Sequence, residues 1–334
     1  MRLDRSQAEQ LLGRIRGAKV AVLGDVMLDE YLFGEVSRIS PEAPVPIVRV
    51  VRERAVLGGA ANVAANLKAI GAEPLLVGTH QRDAAGMRMQ GLLAGLEVQG
   101  QWLVVDPTRP TIIKTRVIGQ QQQMIRIDRE DEGAFADVVV EGLCASLERA
   151  LATASALIIS DYAKGTVNAG VMERVRHLCQ AKGIPWIVDP KPSHRALYRG
   201  ATLMTPNTKE LTELCGLPAK TDGDVAKAGW ALTADLDLQG LLVTRSEKGM
   251  ALFTPDALHR EPCLIPTEAR EGFDVSGAGD TVIAVFSAAV SAGADWQDAA
   301  MLANAAAGIV VGKVGTATAT PVEILRHYQD QEAI

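Results

Sequence analysis

The sequence predicts an α/β protein: a doubly wound, mostly parallel sheet with helices on both faces, plus a small β-sheet set over one end as a lid. Three observations lead there. Short continuous apolar runs bounded by Gly, Pro and Asp alternate with helical stretches, the pattern of strands buried on both faces. Two segments, about 31–51 and 111–129, instead alternate polar and apolar residues with no helix between their halves. With 334 residues and 48% hydrophobic content there is ample apolar material for a large core, and residues 1–334 read as one domain carrying two lid insertions.

Taken in order, "KVAVLGD" is a buried strand ended by Gly-Asp, and "GGAANVAANLKAIG" a helix opened by paired glycines. "PLLVG", "AAGMRMQGLLAGL" and "QWLVV" continue the strand–helix alternation after the first lid segment. Beyond the second lid segment come "ALIISD", "AGVMERVRHLCQAKG", "IPWIVDP", "ATLMTPN" and "GLLVTRSEKG", again strands that close on Asp, Pro, Asn or Thr. Because both lid segments insert near strand ends, where open α/β sheets bind ligands, they are placed to cover a site. An edge extension of the main sheet is the alternative.

The net charge of −6 is spread along the chain, and no basic run marks a nucleic-acid footprint, so a small-molecule partner is expected. The N-terminal "MRLDRSQAEQ" lacks the apolar core of a signal peptide. The longest apolar stretch, "AAMLANAAAGIVVG", falls short of the ~18 residues of a membrane span. The four cysteines (Cys144, Cys179, Cys215, Cys263) stand far apart and the five histidines are scattered, which disfavours zinc and fits a reducing compartment. A soluble, cytoplasmic protein is expected, with neither nucleic acid nor membrane as partner.

The chemistry concentrates in "DVSGAGD" (274–280). Gly277 and Gly279 permit close backbone approach, and the amides of Gly277, Ala278 and Gly279 at a helix start can converge on a phosphate oxygen as an anion hole. Asp280 falls in the first helical turn, where it is either an N-cap or a carboxylate facing the anion. Asp274 lies six residues earlier, so two carboxylates flank the turn. "TPNTKE" places Asn207 and Glu210 at N-x-x-E spacing after a strand, suited to holding Mg²⁺ through its waters, although a helix cap accounts for the same letters. "GGAAN" (58–62) again offers bare amides, or else tight helix packing.

In this order and combination, "GGAAN", "NTKE" and "DVSGAGD" resemble the signatures of the ribokinase (PfkB-type) sugar kinase family, and the likeness runs from about Lys19 to about Pro321. "GDVMLD", "SRISPEAPVPIV", "RPTIIKTRV", "QQQMIRID", "SDYAKG", "VTRSEKGM" and "NAAAGIVVGKVGT" are similar to one branch of it, the bacterial kinases of D-glycero-β-D-manno-heptose 7-phosphate. Many of those are fused to a nucleotidyltransferase with an H-x-G-H tetrad; none occurs here, and the resemblance implies the stand-alone form. It further implies a ribokinase-like fold and ATP-dependent phosphorylation of the anomeric hydroxyl to the 1,7-bisphosphate, a step toward ADP-heptose for the lipopolysaccharide core. ATP, Mg²⁺ and a monovalent cation such as K⁺ are the implied cofactors. A kinase for another sugar or phosphosugar is the alternative. A nicotinamide-dependent dehydrogenase fits poorly, because "GAGDTV" lacks the third glycine of G-x-G-x-x-G.

By the same resemblance Asp280 is the base, and Asp29, Gly58, Gly59 and Asn62 hold the sugar. Thr244 and Ser246 meet the nucleotide phosphates, Asn304 lines the adenine slot, and Asp274 helps bind the monovalent cation. An Asn in an Ala-rich helix needs a hydrogen-bond partner in any case, so a backbone-satisfied Asn304 is the other reading. Ala60 and Ala61 stand where many ribose-type relatives carry a third glycine. A helix N-terminus is expected to lower the basicity of Asp280. A phosphosugar also needs cations, for which Arg38, Lys114, Arg116, Arg126, Lys164 and Lys191 are the candidates. Unpaired lid edges suggest a homodimer through the lid.

Overall fold

The computed structural model describes residues 3–120, 122–131, 133–255, 261–268, 276–313 and 316–332. Helix α1 (Arg5–Ile15) opens with a reciprocal cap between Asp4 and Gln7. Strand β1 (Lys19–Gly24) leads into the long β2 (Val26–Ile39), which returns as β3 (Pro46–Gly59) and passes straight into α2 (Ala60–Ala69). Then follow β4 (Glu73–Val77), β5 (Thr79–His80), α3 (Ala84–Gly95), β6 (Val104–Val105), β7 (Ile112–Gly119), β8 (Gln122–Arg129) and α4 (Asp137–Ala150). The second half comprises β9 (Ala156–Ser160), α5 (Ala169–Lys182), β10 (Trp186–Asp189), β11 (Leu203–Met204), α6 (Thr208–Cys215), α7 (Asp222–Asp235) and β12 (Gly240–Thr244). It ends with β13 (Met250–Phe253), β14 (Cys263–Ile265), α8 (Ala278–Ser291), α9 (Trp296–Val311) and α10 (Pro321–Glu332).

The main sheet has the order β14-β13-β12-β11-β10-β9-β1-β4, parallel from β12 to β4 and antiparallel across β12-β13-β14. Strand alternation assigns its two faces. Val20, Val22 and Ile158 point into a core with α1, α2, α8, α9 and α10, whereas Ala21, Leu23, Leu157 and Ile159 point into a second core with α4, α5, α6 and α7. The expected doubly wound fold is therefore present.

The two alternating segments form a separate four-stranded sheet of order β3-β2-β7-β8, as expected of the lid. Its first hairpin is longer than the segment 31–51 suggested, while β7 and β8 fall within 111–129 as expected. β2 starts at Val26 and β3 ends at Gly59, so this hairpin grows directly out of the end of β1 and feeds the start of α2. Register shifts at Phe33/Gly34 and Val36/Arg38 bend its outer half. Among the described residues no helix is long and apolar enough to cross a membrane.

At the junction of β1 with the crevice, a Cβ on Gly24 would stand 2.2 Å from the Ser160 carbonyl oxygen of the neighbouring β9. Gly24→Ala must push these two strand ends apart. The expected loss is about 1–3 kcal/mol of stability, seen as a lower urea midpoint with unchanged slope.

Candidate active site

The crevice lies at the carboxyl ends of β1, β9 and β10, where α8 begins. Gly277, in the left-handed conformation (φ 79°, ψ 2°), is the N-cap of α8, and among the described residues no side chain caps the helix. Its own Cβ would stand 3.1 Å from Asn62 Nδ2, so glycine is needed there on two counts. Asp280 is consequently not the cap. It sits in the first turn, 6% exposed, and its carboxylate turns to two side chains. Asn62 Nδ2 donates to Oδ2 at 2.7 Å and the Tyr162 hydroxyl donates to Oδ1 at 3.1 Å. A Cβ on Gly279 would meet nothing within 4 Å, so the chain approaches this turn without crowding it.

The start of α2 supplies Asn62. Gly59, at φ 56°, caps this helix without a side chain, and a Cβ on it would lie 2.3 Å from the Asp25 carbonyl oxygen. One turn beyond Asn62, Asn66 Nδ2 donates to the Asn62 carbonyl at 2.9 Å, and the Thr281 hydroxyl donates to Asn66 Oδ1 at 2.8 Å. This chain of bonds locks α2 to α8 beside the carboxylate.

Burial pushes the Asp280 carboxyl up to about 6; the Asn62 and Tyr162 donors oppose that rise and the Asp29 charge adds to it. The expectation of a weakened base at a helix N-terminus is corrected on this point. Desolvation, which the local sequence does not encode, outweighs the helix start.

Asp29 lies within β2, and its Oδ1 accepts from Arg116 Nη1 of β7 at 2.6 Å. Gly58 faces it from β3, where a Cβ would come within 2.5 Å of Asp29 Oδ2. The Arg116 guanidinium also lies over the Tyr31 ring, which stacks on Phe33. Asp29, Gly58, Gly59, Asn62 and Asp280 are therefore brought together.

On the opposite side of the crevice, Asn207 and Glu210 form a capping box for α6, each backbone N–H donating to the other's side chain at 2.9 Å. Asn207 bridges to Thr244 at the end of β12, and Ser246 follows in a short 3-10 turn. Those four positions cluster as the sequence implied, with the cap reading of Asn207 and Glu210 realised in full. Burial raises the Glu210 carboxyl, and the Asn207 amide and nearby Lys191 partly offset the rise. Asn304 is buried in α9 and its Nδ2 donates to the Pro266 carbonyl at 2.8 Å, so one of its donors ties α9 to the chain after β14. Asp274 lies outside the described residues. Among those described, no three carboxylate, imidazole or thiol groups converge to cage a metal ion.

Most of the candidate cations already have partners. Lys164 Nζ donates to Glu130 at 2.6 Å, Lys114 to Glu130 at 3.3 Å and Asp128 at 3.2 Å, and Arg126 to Asp128 at 2.9 Å. Arg38 lies on the exposed outer part of β2, away from these pairs. Lys191 sits at the N-cap of the 3-10 helix Pro192–Tyr198, where its backbone N–H donates to the Tyr198 hydroxyl.

Sequence reasoning missed several residues. Asp25, 1% exposed, accepts from the backbone amides of Tyr162, Lys164 and Thr166 at 2.9, 3.0 and 3.1 Å. Asp189, at the end of β10, has a carboxyl held well above its ordinary range by burial and by the charges of Asp280, Glu210 and Asp161. Tyr162 and Asn66 complete the set. Only Asn66 had a local signal: a second Asn one helical turn after the first, inside an apolar helix.

The chain matches the model of the pfkB family carbohydrate kinases over residues 18–323. It is 44% identical over 317 residues to the bifunctional protein HldE of Actinobacillus pleuropneumoniae, a match covering 94% of this chain and 64% of that protein. It therefore spans about two thirds of that relative's length. Among solved structures, Arabidopsis thaliana ribokinase complexed with ribose and ATP superposes with a TM-score of 0.74 at 21% identity, covering 94% of this chain and 99% of that one. Escherichia coli phosphofructokinase-2 in complex with potassium also gives 0.74, at 17% identity and with 95% and 99% covered. At these identities the two structures establish the fold.

A carboxyl raised to about 6 is ionised above that pH and protonated below it, so it can accept a proton only on the alkaline side. Carbon-13 NMR of aspartate-labelled protein, assigned with Asp280→Asn, is expected to show an Asp280 midpoint near 6, far above an exposed aspartate at ~4.

Proposed function

Because this chain belongs to the pfkB family of carbohydrate kinases, we propose that it transfers the γ-phosphoryl group of ATP to the anomeric hydroxyl of D-glycero-β-D-manno-heptose 7-phosphate. The observation that carries the reading is the buried Asp280 carboxylate, held by Asn62 and Tyr162 in the first turn of α8, beside the Gly277–Gly279 turn. The heptose assignment is supported by the relatives named HldE and by the long segments shared with that branch.

In this reading the sugar lies between Asp29 and Asn62, and its anomeric hydroxyl gives its proton to the Asp280 carboxylate. The hydroxyl oxygen forms the new bond to the γ-phosphorus as the bond to the β,γ-bridging oxygen breaks, releasing ADP. Amides of Ala278 and Gly279 receive the charge of the moving phosphoryl group. Glu210, a hard oxygen donor at the start of α6 whose carboxyl burial raises, suits Mg²⁺ held through water and phosphate oxygens. Bound there, Mg²⁺ would neutralise polyphosphate charge. Thr244 and Ser246 at the end of β12 suit the nucleotide phosphates, and Asn304 the adenine side. Arg116, Lys164 and Lys191 are the cations assigned to the sugar's own phosphate, and Asp274 is assigned to a monovalent cation.

The lid supports a homodimer. All eight residues of its edge strand β8 are exposed, among them Met124, Ile125 and Ile127, and Ile39, Val45, Val50 and Val51 are exposed on the first hairpin. An apolar edge of this kind calls for a second copy to cover it. Light scattering should give a dimer mass for the wild type and a monomer for Ile125→Asp; a monomeric wild type would refute this arrangement.

A coupled ATP-consumption assay with the heptose 7-phosphate beside ribose and fructose 6-phosphate tests the substrate, the heptose 7-phosphate being expected to give the highest kcat/KM. In that assay Asp280→Asn should lose roughly 10²- to 10⁴-fold in turnover with its circular dichroism unchanged. Lys164→Ala should raise KM for the phosphosugar and leave KM for ATP alone.

A further inference from the structure

Between β9 and α5 the chain makes a short loop that two buried carboxylates hold from either side. Asp25 collects the amides of Tyr162, Lys164 and Thr166. Asp161 accepts the Ala163 amide on Oδ1 at 2.7 Å, and on Oδ2 the Tyr198 hydroxyl at 2.6 Å and a bond with His194 Nδ1 at 2.7 Å. Ala163 is forced into the left-handed region (φ 55°), a conformation that a residue with a Cβ keeps only when its surroundings over-determine it. The product of this restraint is the placement of the residue between them. The Tyr162 hydroxyl reaches Asp280 across 118 residues of sequence.

Resting on the kinase reading above, we propose that Tyr162 is a positioning residue for phosphoryl transfer: its phenol and the Asn62 amide grip opposite oxygens of the Asp280 carboxylate and fix its plane toward the acceptor hydroxyl. Here a donor is spent on the one carboxylate that must accept a proton. Two donors on two oxygens leave each oxygen a lone pair for the substrate while removing the freedom of the carboxylate to rotate.

The charges around the pair favour this division of labour. Facing Asp280 are Asn62 from α2, Tyr162 from the loop, Asp29 from β2 and Asp189 from the end of β10. Facing the phenol are Asp280, Asp189 and Asp29, all acidic, and with burial they hold the phenol well above its ordinary range. It therefore stays protonated and acts only as a donor. Burial raises the carboxyl toward neutrality, and the two donors limit that rise so that the group is still ionised above about pH 6.

Tyr162→Phe keeps the ring and removes the donor. The expected result is a roughly 10-fold lower kcat with KM for the sugar within about two-fold, and an acid limb of kcat/KM moved up by about one pH unit. Replacing Tyr162 by 2,3,5-trifluorotyrosine, a stronger donor of nearly the same shape, should move that limb down, and it decides the matter if the Phe variant fails to fold. A Phe variant that folds with unchanged kcat and acid limb, or a trifluorotyrosine protein whose limb stays in place, overturns the proposal. Carbon-13 titration of Asp280 in both variants without substrate reads the same bond. If the wild type phosphorylates no sugar, the kinase reading falls while this titration still decides on Tyr162; if the wild type is active and the Asp280 midpoint does not move in either variant, only Tyr162 loses its role.

Discussion

A carboxylate as buried as that of Asp280 is tolerable only where donors replace the water it has lost, and here they come from two distant parts of the chain. Asn62 stands in the first turn of α2 and Tyr162 in the loop after β9. One residue ties both elements down. The Asp25 carbonyl accepts the Ala60 amide at the start of α2, and the Asp25 carboxylate accepts three amides of the β9–α5 loop. The donors that make the buried Asp280 carboxylate possible are thus set by a second buried carboxylate, itself satisfied by backbone amides. Replacing either by an apolar group would leave polar groups with no water to turn to.

The sheet topology makes that arrangement available. β1 and β9 are parallel neighbours with Gly24 opposite Ser160, so Asp25 and Asp161 leave the sheet side by side. The absence of a side chain at Gly24 brings the two strand ends close enough for one carboxylate to gather the neighbouring loop. β10 follows on the far side of β9 and delivers Asp189 to the same crevice, while α8 brings its first turn to it. Parallel strands that all end at one edge concentrate acidic side chains and helix N-termini there, and the two features suit a polyphosphate with its cation.

What could be read in advance divides along the range of the interactions. Strand alternation and glycine placement are local, so the doubly wound sheet, the lid and the turns at Gly58–Gly59 and Gly277–Gly279 were legible from the letters. The sequence also marked Asp280, Asn62 and Asp29 correctly as neighbours, through the resemblance of their motifs to one family. Tyr162 and Asp25 were invisible in role because their partners lie 118 and 137 residues or more away, and no spacing rule reaches that far. The basicity of Asp280 was misjudged for a related reason. A helix start is written in the local sequence, whereas burial is a property of everything packed around it. Asn207 and Glu210 show the converse: letters that suited a metal also made a full capping box, and one geometry satisfies both descriptions.

The lid adds a constraint that composition alone conceals. It is rich in cations, yet its Lys114, Arg116 and Arg126, like Lys164 of the loop after β9, are bonded to Glu130, Asp128 and Asp29. Burial alone would raise the Glu130 carboxyl, and its bonds to Lys164 and Lys114 more than reverse that, which marks these pairs as coupled. A phosphate arriving there would meet charges that are already neutralised, and its gain would be the difference between two ion pairs and not the strength of one. Such an exchange favours a ligand that offers more charge, or better geometry, than a carboxylate does. On the kinase reading proposed above, a dianionic phosphate would meet both conditions and a neutral sugar neither, so these pairs would discriminate between them before any contact with the acceptor hydroxyl.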